Sequence, residues 1–350
     1  MTITRTAEGA VAISYSNLVS APLSLVDAIG EAFGSDPSSL GIIIVRDLPP
    51  EYSTYRERLL KLSYQFAHLP ENVREKYSHP ASKYSFGWSH GKEIMNGKPD
   101  ILKGSYYANP RVDEPNVSQT ERDEYPEYFW GNIWPDKDEK GVEGFKNAFT
   151  DLGRFVFNVG CQLATACQPF ALPHLSDSSV SLSQLIKDSQ TTKARLLHYF
   201  PPDAAMLAEK GTEDDWCGFH LDHSLLTGLC SAMFLRAEAN GPPAVVSSPS
   251  PSSGLYIRSR GGDLTKVSIP VDCLAFQIGE ALQLATGGTL RATPHCVRVG
   301  SNSPDAINIS RETFALFMGP NPDQLLTPTK TYGQFSKEVF DEHYGSTNVM

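Results

Sequence analysis

The chain has 350 residues, 40% of them hydrophobic and 20% charged, an ordinary globular composition with room for one large or two intimate domains. A formal net charge of -10 and a pI of about 5.4 argue against a nucleic-acid surface, which needs clustered Lys and Arg. No stretch reaches the roughly 18 consecutive apolar residues of a membrane span, and the opening residues up to Gly9 lack an apolar core, so neither a membrane helix nor a secretory signal is expected.

In chain order, Gly41 to Val45 is a β-branched run that reads as a buried strand, and Tyr52 to Leu69 has helical periodicity. The segment Ser82 to Pro110 is rich in Gly, Tyr and Lys and has little periodicity. It reads as a loop whose aromatics, Tyr84, Phe86, Trp88, Tyr106 and Tyr107, give a site an aromatic-lined mouth. The clearest helix spans Gly141 to Cys167. Its apolar positions Val142, Phe145, Phe149, Leu152, Val156, Val159 and Leu163 recur in steps of three and four and form one core-facing stripe.

From about Ala194 the pattern changes to short strands separated by Gly, Pro and Ser. The candidates are 194–200, 225–234, 254–257, 273–278, 292–299 and 306–318, with Gly241 to Gly254 as an exposed loop. Many short strands with such punctuation indicate a closed or double-sheet β architecture such as a jelly roll. The six cysteines form no Cys-x-x-Cys pair and lie mostly in apolar runs. They read as buried reduced thiols, hence a reducing compartment, most simply the cytoplasm.

Four stretches carry chemistry: Leu197-His198-Tyr199-Phe200-Pro201, His220-Leu221-Asp222, Thr293-Pro294-His295 and Ser310-Arg311-Glu312-Thr313. On a strand, His220 and Asp222 point to one face. His295 is distant in sequence, but an antiparallel partner strand can bring it alongside. Two imidazoles and one carboxylate form the facial triad that suits Fe(II) and leaves coordination positions open. Arg311 and Thr313 also share a strand face, and a guanidinium fork beside a hydroxyl is matched to a carboxylate. Phe317 falls on the Arg311 face and Phe314 does not.

These stretches together resemble the 2-oxoglutarate- and Fe(II)-dependent dioxygenases of the isopenicillin N synthase-like superfamily. His220 to Thr227 is similar to that family's first metal motif, Ile278 to Val299 to its second, and Arg311-Glu312-Thr313 stands where the family has Arg-x-Ser. The resemblance covers about residues 190 to 320 and extends more loosely to Gly91-Lys92-Glu93 and Gly97-Lys98-Pro99-Asp100. It implies an α+β fold with a mainly β core, a distorted double-stranded β-helix (jelly roll) with an N-terminal helical section packed on it. Residues 1–190 would form the mixed α/β N-terminal region, 191–325 the jelly-roll core and 326–350 a C-terminal segment.

By the same resemblance, iron is held by His220, Asp222 and His295, with no catalytic side chain beyond the metal centre. The co-substrate 2-oxoglutarate sits on Arg311 and Thr313, O2 is consumed, and a small organic molecule is oxidised, most simply hydroxylated, with release of succinate and CO2. Gly300 to Asp305 lengthens the gap from His295 to Arg311 as a turn insertion. The family's tyrosine near the co-substrate is Tyr199 with a one-residue shift, whereas strict counting places Phe200 there. His198, His223, Tyr106 and Phe317 are candidate substrate contacts. The partners expected are a small molecule, no nucleic acid and no membrane, with the chain a monomer. Two rival readings stay open: an Fe(II) oxidase of the same superfamily that uses no 2-oxoglutarate, and a non-catalytic ligand-binding jelly roll.

Overall fold

The computed structural model describes residues 3–95, 98–175, 181–201, 217–298 and 307–344. Strand β1 (Val11–Ser14) leads through helix α1 (Val26–Phe33) to strand β2 (Ile42–Arg46). Helix α2 (Glu51–Ala67) follows, then β3 (Gly87–His90), β4 (Lys103–Ala108) and the long helix α3 (Phe145–Ala171). The second half supplies β5 (Lys193–Tyr199), β6 (Cys217–His220), β7 (Leu226–Cys230), β8 (Met233–Arg236) and β9 (Ala244–Val246). It continues with β10 (Gly254–Arg258), β11 (Leu264–Val267), β12 (Leu274–Ile278), helix α4 (Glu280–Ala285), β13 (His295–Arg298), β14 (Ile309–Met318) and helix α5 (Tyr332–Tyr344).

Two sheets face each other. The large one runs β1-β2-β12-β7-β14-β5-β4-β3, with β8 and β9 attached beside β14, and the small one runs β11-β10-β13-β6. Strands from the N-terminal region (β1 to β4) therefore extend the same sheet that carries β5 and β14. One face of the large sheet packs on helices α2 and α3, and the other faces the small sheet.

This double burial explains the near-continuous apolar run of β14. Phe314, Leu316 and Met318 join the helix-side core, whereas Ala315 and Phe317 pack with the residues between the sheets, beside Leu197, Leu255 and Val297. The alternation is the strand pleat made visible. Of the predicted stripe on the long helix, Val142 lies just before α3 and the other six positions lie on it, and all are buried.

Helix and sheet approach closely at glycines. A Cβ on Gly228 of β7 would lie 2.6 Å from Val156 Cγ1 and 2.9 Å from Phe276 Cε1. Gly228→Ala is expected to destabilise the fold by about 1–3 kcal/mol, because overpacking outweighs the smaller loss of chain entropy in the unfolded state. The check is a lower urea midpoint at unchanged slope.

The structure departs from the sequence expectations in three places. Ser82 to Pro110 is not one loop: it carries β3 and β4, and three of its five aromatics turn inward. Phe86, Trp88 and Tyr106 are buried, the last two against Phe66. The expected strand 225–234 is two strands, because β14 is long enough to pair with both. Leu226 to Leu229 faces the 315–318 end and Met233 to Arg236 the 309–312 end. The carbonyls freed at the break, Ser231 and Ala232, are taken by Arg56 at 2.8 and 2.7 Å. Within the expected loop Gly241 to Gly254, residues 244–246 form β9 against β8. The expected turn Gly300 to Asp305 lies outside the described residues, as do Gly97, Val299 and Ala306.

Candidate functional site

Strand pairing sets the two distant histidines side by side. His220 closes β6, His295 opens β13, and they are direct cross-strand partners with ring centroids 4.3 Å apart. Asp222 reaches the same point by a different route from the one expected. The strand ends at His220, so pleat alternation does not place the carboxylate. The chain instead turns after β6, and the turn is held by the Glu280 N–H, which donates to the Asp222 carbonyl at 2.8 Å. Asp222 Oδ1 then lies 3.8 Å from His220 Nε2 and 3.9 Å from His295 Nε2.

Both imidazoles are oriented through the opposite nitrogen. His220 Nδ1 bonds the Gly218 carbonyl at 2.9 Å, and His295 Nδ1 bonds the Thr293 carbonyl at 3.0 Å. A carbonyl accepts only, so each Nδ1 carries the hydrogen and each Nε2 presents a lone pair to the shared space. Asp222 Oδ2 is buried with no hydrogen-bond partner among the described residues. One ligand atom from each of the three residues fits within 4.8 Å of the others. Burial, with His220 as neighbour, lowers the His295 pKa. In His220 burial acts the same way, but the Cys217 sulfur and Asp222 overcome it and lift the value to about 9. A proton and a cation therefore compete for the same lone pairs.

The triad opens into a cavity of about 220 Å³ between the sheets. Arg311, Thr313, Ala315 and Phe317 line it from alternate positions of β14, and Arg195, Leu197 and Tyr199 from β5. Arg311 is 6% exposed, and its Nε and Nη1 have no hydrogen-bond partner among the described residues. Its Cζ lies 4.9 Å from the centre of the Tyr199 ring, its direct cross-strand partner. Burial lowers the pKa of this guanidinium, with Tyr199 opposing. Thr313 Oγ1 donates to the Cys230 carbonyl at 3.2 Å.

The register decides between Tyr199 and Phe200. Tyr199 faces the cavity beside Arg311, whereas Phe200 packs against His90 and His198, with centroids 4.8 and 4.4 Å away. Of the four candidate substrate contacts only Phe317 lines the cavity. His198, next to Tyr199 on β5, necessarily points to the helix side, where its Nδ1 meets Glu312 Oε1 at 2.8 Å and its ring stands 5.4 Å from that of His68. His223 turns away to Glu280 Oε2 at 2.7 Å. Tyr106 is a core residue whose hydroxyl donates to the Ile133 carbonyl at 2.6 Å.

Among the cavity residues that escape the sequence reading are two with ionisable groups beside the site. Arg195 is one, although its signal was available: it shares strand parity with Tyr199. Its Nη2 donates to Glu93 Oε1 at 2.7 Å and its Nε to Ser105 Oγ at 2.9 Å. Cys217 is the other. Lys103 and His220 overcome the effect of burial and bring its thiol down to about 7.

No family model matches the chain. Over 144 residues, 40% of this chain and 37% of the relative, it is 29% identical to a UPF0676 protein of Schizosaccharomyces pombe. Among solved structures it resembles a 2OG-Fe(II) oxygenase family protein from Caulobacter crescentus, at 17% identity, a TM-score of 0.66, and coverage of 97% of this chain and 100% of that one. It also resembles a full-length Neurospora crassa protein crystallised in complex with alpha-KG, at 18% identity, a TM-score of 0.65, and coverage of 92% and 90%. The chain has the double-stranded β-helix fold of the 2OG-Fe(II) oxygenases. No helix among the described residues is long and apolar enough to cross a membrane.

Proposed function

We propose that this protein is a non-haem Fe(II)- and 2-oxoglutarate-dependent dioxygenase that oxidises, most simply hydroxylates, a small organic molecule with release of succinate and CO2. The observation that carries the reading is the pairing, in one cavity, of a His-Asp-His cluster with a buried guanidinium that has no anionic partner among the described residues. A cationic centre at His220, Asp222 and His295 would answer the orphaned Asp222 oxygen and the two Nε2 lone pairs. A dicarboxylate would answer Arg311, because a buried charge is costly until it is paired. The same fold in an alpha-KG complex from Neurospora crassa supports this choice of ligand.

When bound, the iron and 2-oxoglutarate supply the oxidising chemistry from O2. The chain's own residues bind, orient and shield. The Gly218 and Thr293 carbonyls fix the imidazole edges, Arg311 with Thr313 sets the register of the co-substrate, and Leu197, Leu229 and Val297 keep the chamber apolar. We read the compartment as cytoplasmic, on the support of free and buried cysteines at all six positions.

The test is an anaerobic titration. Fe(II) plus 2-oxoglutarate is expected to give a weak visible charge-transfer band with the protein, and O2 then to yield succinate. Oxygen uptake with no need for 2-oxoglutarate would transfer the assignment to an oxidase, and absence of the band in metal-loaded protein to a non-catalytic binder.

A further inference from the structure

The cavity holds two guanidinium groups with opposite electrostatic situations. Arg311 makes no ion pair among the described residues. Arg195 sits in a ring of compensating charges. Glu93 reaches Arg195 at 2.7 Å and Lys103 at 3.2 Å, and Asp100 reaches Lys103 at 2.8 Å. Burial works against the Glu93 charge, but Arg195 and Lys103 overcome it and hold the carboxyl well below the usual carboxylate range. The Tyr107 hydroxyl donates to the same Glu93 oxygen at 2.7 Å, and the Arg195 Cζ lies 5.0 Å from the Tyr107 ring. The Arg195 fork is thus both rigid and already neutralised.

Position separates the two groups as well. Arg311 pairs with Tyr199 and Arg195 with Ala315, four positions further along β14, a distance of roughly 13 Å. Asp222 lies three residues before Leu225, whose N–H donates to the Met318 carbonyl, so the triad sits toward the Phe317 end of β14. A co-substrate anchored at Arg311 would span the space from there to the triad. Arg195, opposite Ala315, and Phe317 both line the triad end of the cavity, where the molecule that is oxidised must sit.

Resting on the dioxygenase reading above, we propose that Arg195, with Phe317, forms the substrate subsite, and that it takes an uncharged molecule carrying a carbonyl or similar hydrogen-bond acceptor, not a carboxylate. A second carboxylate brought against Glu93 would place like charges together in a low-dielectric chamber. A neutral acceptor takes a hydrogen bond from the guanidinium and leaves the Glu93 pair intact. Phe317 offers the apolar surface for the rest of the molecule.

The test uses the full chain loaded with Mn(II) and saturating 2-oxoglutarate, which keeps Arg311 occupied. The probes are two matched pairs, benzamide with benzoate and cyclohexanecarboxamide with cyclohexanecarboxylate. Binding is read from the Mn(II)-induced relaxation of the probe protons. The amides are expected to bind about tenfold or more tightly than their acids, and Arg195→Met to weaken the amides by roughly ten- to hundredfold. Glu93→Gln removes the compensating charge and is expected to shift the preference toward the acids.

A wild-type protein that prefers the acids overturns the proposal, as does one that binds neither series. Should Glu93→Gln fail to fold, the wild-type preference still decides. The Fe(II)–2-oxoglutarate band separates the two levels. Its presence with the wrong probe preference rejects only the substrate class, and its absence rejects the dioxygenase reading itself.

Discussion

Asp222→Ala is expected to abolish 2-oxoglutarate-driven succinate formation, while the protein without metal changes little in stability. The two effects have separate causes. The Asp222 side chain is buried between two imidazoles, and its Oδ2 has no hydrogen-bond partner among the described residues. In the absence of a cation the unsatisfied Oδ2 is costly, but Oδ1 faces the His220 ring and helps raise its pKa, so removing the carboxylate relieves the one effect and forfeits the other. What holds the turn in place is the Asp222 backbone carbonyl, which still accepts from Glu280 N–H in the alanine variant. Metal affinity should fall by at least ~100-fold, the scale reached when only a residue supporting a ligand is lost. Succinate assay and thermal melting of the apo protein, with and without Fe(II), read both effects. Turnover like that of wild type would end the assignment of Asp222 as a metal ligand.

The parts of this site legible in the sequence are those carried by strand parity on long, regular strands. Arg311, Thr313 and Phe317 share a face because β14 runs ten residues without a break, and counting by twos suffices. Asp222 is the instructive contrast. Its place beside His220 is also inferred from parity, and the two do meet, but a turn pinned by Glu280 brings them together. The Tyr199 or Phe200 ambiguity has the same origin. A one-residue shift exchanges the two faces of β5, and only the pairing of Tyr199 with Arg311 resolves it.

Long-range partnerships are the second source of what the sequence conceals. Arg195 looks like an ordinary strand arginine until Glu93, about a hundred positions earlier, is seen against it. The segment Ser82 to Pro110 reads as a loop because its small and aromatic residues lack a simple period. They fit a strand nonetheless. Gly104 admits the Trp88 ring, to which any Cβ would come within 2.1 Å, and that close fit allows β3 to lie against β4. Phe86, Trp88 and Tyr106 are therefore spent on the core, whereas Tyr107 joins Glu93 and Lys103 around Arg195 at the cavity.

Arg311→Met should show the sharpest split between stability and function. The wild-type guanidinium is buried and without a carboxylate partner among the described residues, so it weakens the empty fold. Methionine fills similar volume with no charge, and the apo variant is expected to melt at an equal or higher temperature. The co-substrate responds in the other direction. Losing a paired, buried charge costs about 3–5 kcal/mol, so the KM for 2-oxoglutarate should rise ~100-fold or more. The His-Asp-His cluster is untouched, so kcat at saturation should change far less than KM. Arg311→Lys keeps the charge but loses the fork, and should fall between the two. Addition of 2-oxoglutarate with a redox-silent metal should raise the melting temperature of wild type by mass action and leave the methionine variant nearly unmoved. An unchanged KM in Arg311→Met would show that the co-substrate is anchored elsewhere. The buried, unpaired guanidinium would then be a counter-charge for the oxidised molecule, as in the oxidase reading.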